Sequence, residues 1–240
     1  MRFFSRLILD ARHRRVRRDL GDSYQLHRTV LSAFPQAPAG ASARKHFDVL
    51  YRVEPLGDAP FLVRLLVQSN TAPDWSGLPA EALGPDLDGR GNPAVRRVDE
   101  EYDRIVAGAR FIFRLRANAT KCLSDRTPGR EDRLAGKRVA LLREEEQLAW
   151  LARKGEQHGF RLLATELNPE LAAVQVSAQA TERGRRPEGA GGGSMGLCFG
   201  AVLFNGRLEV TDAERFRAAL RDGIGRGKAF GFGLLSIAAL

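Results

Sequence analysis

The chain has 240 residues and a formal net charge of +9, from 38 Lys and Arg against 29 Asp and Glu. An excess of this size favours a polyanionic partner such as nucleic acid, or an anionic membrane surface. The only cysteines, Cys122 and Cys198, exclude a disulfide framework and favour a reducing compartment. Neither a signal peptide nor a membrane span of roughly 18 apolar residues is found, so we expect a soluble, cytoplasmic protein without a membrane partner.

The first part of the chain predicts a buried strand, a basic segment and a helix. Residues 3–9 are rich in Phe, Leu and Ile, which favours a strand. Residues 12–18 hold six basic positions, which predicts either a mobile phosphate-binding loop or a merely solvated one. Asp22 or Ser23 can cap the helix that follows, from Tyr24 to Phe34.

This helix carries the most reactive combination of side chains in the chain. Tyr24, His27 and Arg28 lie side by side on it by i, i+3 and i+4 spacing. Histidine suits proton transfer near neutral pH, and RNA cleavage by its own 2′-hydroxyl needs one proton removed and one supplied. The alternative is structural: His27 tops the helix and Tyr24 packs on the core.

Two strands are predicted next, over residues 46–53 and 61–69. Residues 78–100 contain three prolines and several glycines, which predicts mostly irregular structure. The first domain is expected to end near Ala107.

The second half begins with an alternating segment, Arg110 to Arg116, which predicts a strand with one core face and one wet, basic face. Residues 118–139 are basic and poor in apolar residues, which predicts an exposed hairpin or loop that follows a phosphate backbone, or else a disordered insert. Residues 144–154 have acids in the first turn and bases in the last, as in a helix.

The remaining segments predict further strands and one more helix. Strands are expected over residues 160–167, 172–180 and 197–204, and Asn205-Gly206 predicts a two-residue turn before residues 207–210. Residues 181–194 have low complexity and are expected to be mobile. Thr211 or Asp212 can cap a helix through Leu220.

A glycine-rich loop follows that helix, and its spacing excludes two nucleotide-binding motifs. Asp222 and Ala229 stand where a Walker loop needs Gly and Ser or Thr, and too few residues follow for a dinucleotide-binding unit. The loop therefore either anchors a final strand or holds a phosphate chain, because glycines permit positive φ and close approach. Its glycines are Gly223, Gly225, Gly227, Gly231 and Gly233.

The order β, α, β, β recurs in each half and predicts an α+β protein with two tandem ferredoxin-like (RRM-like) domains, residues 1–107 and 108–240. The four histidines and two cysteines lack metal-ligand spacing, so neither a metal nor a cofactor is predicted.

Taken together and in order, these motifs resemble the CRISPR-associated endoribonucleases of the CasE family, the processing subunit of the type I-E Cascade complex. The resemblance covers nearly the whole chain, except that segments 79–93 and 184–194 match no motif. The matching motifs are Tyr24-Gln-Leu-His-Arg28 with Phe34-Pro35, Val67-Gln-Ser69, Phe113-Arg-Leu-Arg-Ala-Asn118 with Lys121, Lys137-Arg-Val-Ala-Leu141, Glu146-Gln-Leu-Ala-Trp-Leu151, and Gly223-Ile-Gly225 through Gly231-Phe-Gly-Leu-Leu-Ser236.

The resemblance implies metal-independent cleavage of CRISPR precursor RNA at the base of the repeat stem-loop, which leaves a 2′,3′-cyclic phosphate. It also implies that the mature crRNA is retained and that other Cascade subunits are partners. His27 stands at the family's catalytic histidine and Tyr24 at its accompanying tyrosine. The RNA contacts expected are Arg28, Arg116, Lys121, Lys137, Arg138 and Lys228. The alternative is a non-catalytic RNA-binding scaffold subunit with the same fold.

Overall fold

The computed structural model describes residues 1–123, 138–179, 181–188 and 193–240. No helix in these ranges is both long and apolar enough to cross a membrane. The elements in chain order are β1 (Phe3–Asp10), α1 (Arg14–Gly21), α2 (Ser23–Leu31), α3 (Ala43–His46), β2 (Leu50–Pro55), β3 (Leu62–Ser69), β4 (Ala94–Arg97), α4 (Asp99–Asp103), β5 (Arg110–Ala117), β6 (Thr120–Cys122), β7 (Arg138–Ala140), α5 (Glu144–Gln157), β8 (Phe160–Leu162), β9 (Val174–Ala178), β10 (Glu182–Glu188), β11 (Gly193–Phe199), β12 (Val202–Val210), α6 (Ala213–Asp222) and β13 (Leu235–Ala239), with short 3₁₀ turns at Ala80–Ala82 and Lys228–Phe230.

The first sheet has four antiparallel strands in the order β2-β3-β1-β4. Apolar residues of β1 and β3, such as Leu7 and Leu65, are almost fully buried. They pack in one core with Leu26 and Val30, which the helical spacing of α2 places on a single face. This packing fixes α2 on the sheet and leaves its other face free for chemistry.

The second sheet has the order β13-β5-β12-β8, and β9 pairs with another part of β12. In both sheets the first strand lies between the third and the last, which is the strand order of a split βαβ, ferredoxin-like unit. The predicted fold class, α+β with two ferredoxin-like sheets, is confirmed. The division at residue 107 stays a prediction, and Val98, Tyr102 and Ile105 already belong to the second core.

Two local predictions are wrong for reasons of packing. Most of the basic segment at residues 12–18 is helical, because Val16 and Leu20, one turn apart, both pack on the first core. The turn expected at Asn205-Gly206 does not form, since β12 runs straight through it. A Cβ atom at Gly206 would lie 2.6 Å from the carbonyl oxygen of Ala173, so this glycine permits close strand packing instead.

Two further segments differ from expectation, and a third agrees with it. The strand predicted at residues 46–53 begins only at Leu50, after the short helix α3. Residues 182–188 and 193–199, within and beside a segment expected to be mobile, form an antiparallel pair. Strands β6 and β7 pair at the base of the predicted basic hairpin, and the basic positions between 126 and 133 lie outside the described residues.

Buried hydrogen bonds join the first sheet to the second half of the chain. Arg52, only 2% exposed, donates to the carbonyl oxygen of Leu234 at 2.9 Å and to Ser236 Oγ at 3.0 Å. Gln68 Nε2 donates to the Leu220 carbonyl oxygen at 2.8 Å. A buried polar group without a partner would cost folding free energy, so these bonds fix how the halves meet. The arrangement brings α2 beside the glycine-rich loop.

Candidate active site

Helix α2 places His27 and Tyr24 together at a well-defined helix start. The Asp22 carboxylate caps the helix by accepting a hydrogen bond from the Tyr24 N–H at 2.9 Å. His27 and Tyr24 are half-buried, and Arg28 is exposed. The three side chains that the sequence grouped together therefore do share one helix, at the edge where the two halves meet.

His27 lies in a partly dehydrated environment with a positive charge nearby. Its ring centroid is 5.8 Å from that of Phe230, and its Nδ1 atom is buried without a hydrogen-bond partner among the described residues. Burial and, to a smaller extent, the positive charge of Arg44 lower the pKa of His27 to about 4, although a polar contact with the Ala229 backbone partly opposes both. The imidazole is therefore neutral at pH 7, which is the form that can accept a proton.

Arg44 adds positive charge beside this imidazole, and Lys228 of the glycine-rich loop lies near Arg44. Lys228 is half-buried, and its pKa is lowered by burial and by the nearby charge of Arg44, while Asp222 acts in the opposite direction. Crowded basic groups destabilise one another's charged forms, and an incoming anion would relieve that repulsion. The geometry therefore suits a phosphate group next to His27.

The glycine-rich loop takes a shape that side chains would prevent. A Cβ atom at Gly233 would lie 2.8 Å from the Ile224 carbonyl oxygen, and one at Gly223 would lie 2.8 Å from the Gly233 carbonyl oxygen. The hydroxyl of Tyr51 donates to the Ala229 carbonyl oxygen at 2.9 Å, which ties the loop to the first sheet. The φ angles are +75° at Gly223, +84° at Gly225, +79° at Gly227, +80° at Gly231 and +87° at Gly233.

Some backbone N–H groups of the loop already donate hydrogen bonds within the protein. The N–H groups of Ile224 and Gly233 donate to the carbonyl oxygens of Gly233 and Arg116, at 2.9 and 2.8 Å. These two donors hold the loop's own shape, so the loop's anchoring role is visible in the structure. A contact between the loop and RNA phosphates stays a prediction. The Lys228 side chain supports it better than these two N–H groups, because their hydrogen bonds are already made within the protein.

A cavity of about 470 Å³ lies against the same loop. No acidic side chain occurs among its lining residues in the described ranges. Burial lowers the pKa of His158, which lines the cavity, and the charges of Lys154 and Lys228 lower it further. The effect of these two charges reflects the positive surroundings of the cavity. The lining residues are Asn118, Thr120, Arg138, Trp150, Arg153, Lys154, Gln157, His158, Gly223, Gly225, Arg226 and Lys228.

Only some of the expected RNA contacts line this cavity, and others are held in ion pairs within the protein. Arg138 and Lys228 line the cavity, whereas Lys121 forms a 2.5 Å ion pair with Glu146. Arg116 is 9% exposed, pairs with Glu182 at 2.5 Å and lies over the Phe232 ring. The expectation that Arg116 belongs to a wet strand face is therefore wrong. Lys137 lies outside the described residues.

The sequence alone did not point to Arg44 or to the basic groups of α5. Arg44 follows a loop rich in Pro, Gly and Ala, and only the packing of α3 brings its charge to His27. Arg153 and Lys154 have the pattern of ordinary helix-terminal bases. The described residues contain no group of three or more His, Cys, Asp or Glu suited to hold a metal ion.

Fold and site together define a class of protein: an α+β chain of two ferredoxin-like halves, with a dry histidine and a cationic cleft suited to a polyanion. A family model described as "CRISPR associated protein" matches residues 2–239. The chain is 39% identical over 237 residues to the CRISPR-associated endoribonuclease Cse3 of Thermus thermophilus, covering 98% of this chain and 99% of that protein. It is 29% identical over 225 residues to the Cascade subunit CasE of Escherichia coli, covering 91% and 93%.

Solved structures agree with the sequence comparison. Cse3 bound to a 19-nucleotide RNA has a TM-score of 0.73 and 37% identity, covering 99% of this chain and 100% of that one. Thermus thermophilus Cse3 bound to an RNA representing a pre-cleavage complex has a TM-score of 0.71 and 37% identity, covering 99% and 98%. The chain therefore belongs to the Cse3/CasE family of CRISPR-associated proteins, and the predicted family is confirmed.

Proposed function

We propose that this chain is a metal-independent endoribonuclease that cleaves CRISPR precursor RNA at the base of the repeat stem-loop. The observation that carries the proposal is His27: a neutral, half-buried imidazole near the positive charge of Arg44, in contact with Phe230 of the glycine-rich loop that also carries Lys228. Membership of a family whose relative is named an endoribonuclease supports the choice of RNA as substrate.

In the proposed reaction, His27 is the general base. The neutral imidazole takes the proton of the 2′-hydroxyl, and the 2′-oxygen attacks the adjacent phosphorus. The bond from phosphorus to the 5′-oxygen breaks, and that oxygen receives a proton from solvent, to which the imidazolium returns its own; the products are a 2′,3′-cyclic phosphate and a 5′-hydroxyl. Tyr24, on the same helix face, is the candidate to position the phosphate or to share a proton.

The cations stabilise the negative charge that develops on the phosphoryl oxygens during the reaction. Arg44 and Lys228 carry fixed positive charge in a partly dehydrated setting, where its attraction for a phosphoryl oxygen is stronger than in water. Arg28 is exposed on the same helix, and Arg138 lines the cleft. We assign these two to binding of the RNA backbone, together with Lys121 and Lys137 at the basic hairpin.

The proposal extends to partners and location. One relative is named a Cascade subunit, so we propose that this chain keeps the crRNA after cleavage and assembles with other Cascade subunits. A cytoplasmic location, expected from cysteine usage and charge, is part of the same proposal.

The test is single-turnover cleavage of an end-labelled CRISPR repeat hairpin with protein in excess, in the presence of EDTA. The parent should cut once, at the stem base, and the upstream product should be lighter by one water than a linear phosphate in mass spectrometry. His27→Ala should slow cutting by about 10²–10⁴-fold while RNA affinity stays within about threefold. His46→Ala, at an exposed position on α3, is the matched control and should cut like the parent.

Binding without cutting by the parent would favour the scaffold alternative. Loss of cutting in EDTA would reject the metal-independent mechanism. Cutting by His27→Ala at the parental rate would remove His27 from the reaction.

A further inference from the structure

The β10–β11 hairpin, Glu182–Glu188 with Gly193–Phe199, lies directly on the start of α2. Gly184 is buried there, and a Cβ atom at this position would lie 2.5 Å from Ser23 Oγ and 3.1 Å from Asp22 Oδ1. The Arg185 N–H also donates to Asp22 Oδ1, at 3.4 Å. The hairpin strand therefore touches the cap that begins the helix carrying His27.

The same hairpin contacts the glycine-rich loop through its last residue. The Phe199 ring stacks on Phe230, with 4.9 Å between centroids and 29° between planes, and lies 5.7 Å from the Phe232 ring. Stacked aromatic pairs in this range are favourable beyond the area that they bury. Opposite Phe199 in the strand register, Glu182 forms the ion pair with Arg116. The hairpin is thus anchored to the loop through Phe199 and to β5 through Glu182.

These contacts form one layer that ends at the candidate base. Phe199 stacks on Phe230, and Phe230 contacts the imidazole of His27. We infer that Phe199 is a positioning residue: through Phe230 it holds the His27 ring in place and keeps water from its buried edge. This inference rests on the proposed function only where it concerns catalysis, because the ring's position and hydration can be measured without RNA.

The titratable groups on the segments near His27 all remain when Phe199 is replaced. Arg44 belongs to α3, Lys228 lies in the glycine-rich loop, Asp222 ends α6, Tyr24 and Arg28 share α2 with His27, and Glu182 and Arg185 belong to β10. A changed titration of His27 in a Phe199 variant would therefore report changed hydration or position of the ring, since no charge has been added or removed.

The experiment is an NMR titration of the histidine ring signals in RNA-free protein, for the parent and for Phe199→Ala. The His27 signal is identified by its loss in His27→Gln. Opening the layer should admit water and raise the His27 pKa from about 4 toward the ordinary 6.5, by about one pH unit or more. Single-turnover cleavage should fall about tenfold, as expected for a misplaced reactive group, with RNA affinity within about twofold.

Two variants serve as controls. Phe199→Leu keeps apolar volume over Phe230, so His27 should titrate as in the parent. If only a loss of hairpin stability mattered, Phe199→Leu would change the titration as well. Phe61→Ala removes a ring that is 56% exposed and lies below Arg12, and should change neither measurement. Should Phe199→Ala fail to fold, Phe199→Val removes the ring while keeping a strand-forming side chain.

A parental His27 titration in the folded Phe199→Ala or Phe199→Val variant would overturn the inference. If the parent itself cleaves no RNA, the proposed function fails, yet the titration still decides whether Phe199 positions and dehydrates His27.

Discussion

The imidazole of His27 and the phenyl ring of Phe230 are in contact, with 5.8 Å between their centroids. One ring belongs to the second helix of the chain and the other to the glycine-rich loop near its C-terminus. The candidate base and the loop are therefore parts of one site. Disturbing the loop backbone should affect both the fold and the environment of His27.

Gly233→Ala should destabilise the protein by about 2–3 kcal/mol, because an alanine would take an unfavourable φ of +87° and its Cβ would lie 2.8 Å from the Ile224 carbonyl oxygen. Gly40→Ala is the matched control: φ is +79°, but nothing lies within 4 Å of the added Cβ. It should lose only about 1 kcal/mol, the backbone strain alone. Urea unfolding measures both, and equal losses would contradict the steric role of Gly233.

The buried His27 should make stability depend on pH. Its pKa is about 4 in the folded protein and about 6.5 in the unfolded chain, so between these values the unfolded chain binds the extra proton. The contribution of neutral His27 is fully present above pH 6.5 and is lost as pH falls toward 4. Relative to His27→Gln, the parent should lose about 2–3 kcal/mol of unfolding free energy between pH 7 and pH 4.

Urea unfolding of both proteins across this range tests the prediction. Between pH 7 and pH 8 the difference between parent and variant should stay constant, because both pKa values lie below that window. A difference that stays constant down to pH 4 would show that His27 is not dehydrated.

Cations with and without an ion-pair partner among the described residues should contribute differently to RNA binding. Lys228→Ala and Arg138→Ala should each reduce the slope of log affinity against log salt by about 0.7–0.9, the value for one phosphate contact. Lys121→Ala should reduce it by less, since Lys121 is held by Glu146. Affinity for the repeat hairpin at several salt concentrations gives the slopes, and equal decreases for all three variants would refute the distinction.

Arg52 should stabilise the junction of the two halves far more than a neighbouring arginine does. Arg52→Ala should cost about 3–5 kcal/mol, because it removes a buried charge that pairs with Glu54 and donates to the Leu234 carbonyl oxygen. Arg64→Ala removes a 37% exposed partner of the same carboxylate, at 3.3 Å, and should cost less than about 1 kcal/mol. Similar unfolding free energies for the two variants would contradict this assignment.

Local patterns in the sequence carried the prediction of α2 and of the residues on it. Asp22 is a good cap, and i, i+3 and i+4 spacing necessarily groups Tyr24, His27 and Arg28 on one helix. The glycine spacing likewise indicated backbone of positive φ, which all five loop glycines adopt. Such features depend on neighbouring residues alone, so the sequence was sufficient for them.

Other features depended on what each segment packs against. The Asn-Gly pair at 205–206 has turn chemistry, but sheet pairing on both sides of β12 outweighs that preference. Arg116 alternates as a surface residue would, but the β10–β11 hairpin covers it through Glu182. Local preferences are worth a few tenths to about one kcal/mol per residue, less than tertiary packing supplies.

By itself, the sequence determined the family, the fold class and the grouping of Tyr24, His27 and Arg28 on one helix. Only the tertiary structure decided the state of the candidate base. His27 is a neutral group because burial beside Phe230 and the charge of Arg44, both from distant parts of the chain, lower its pKa by more than the Ala229 backbone raises it. The hydration and the electrostatic environment of one side chain depend on all the groups that lie near it in space. Those groups come from distant positions in the chain, so the sequence does not reveal them.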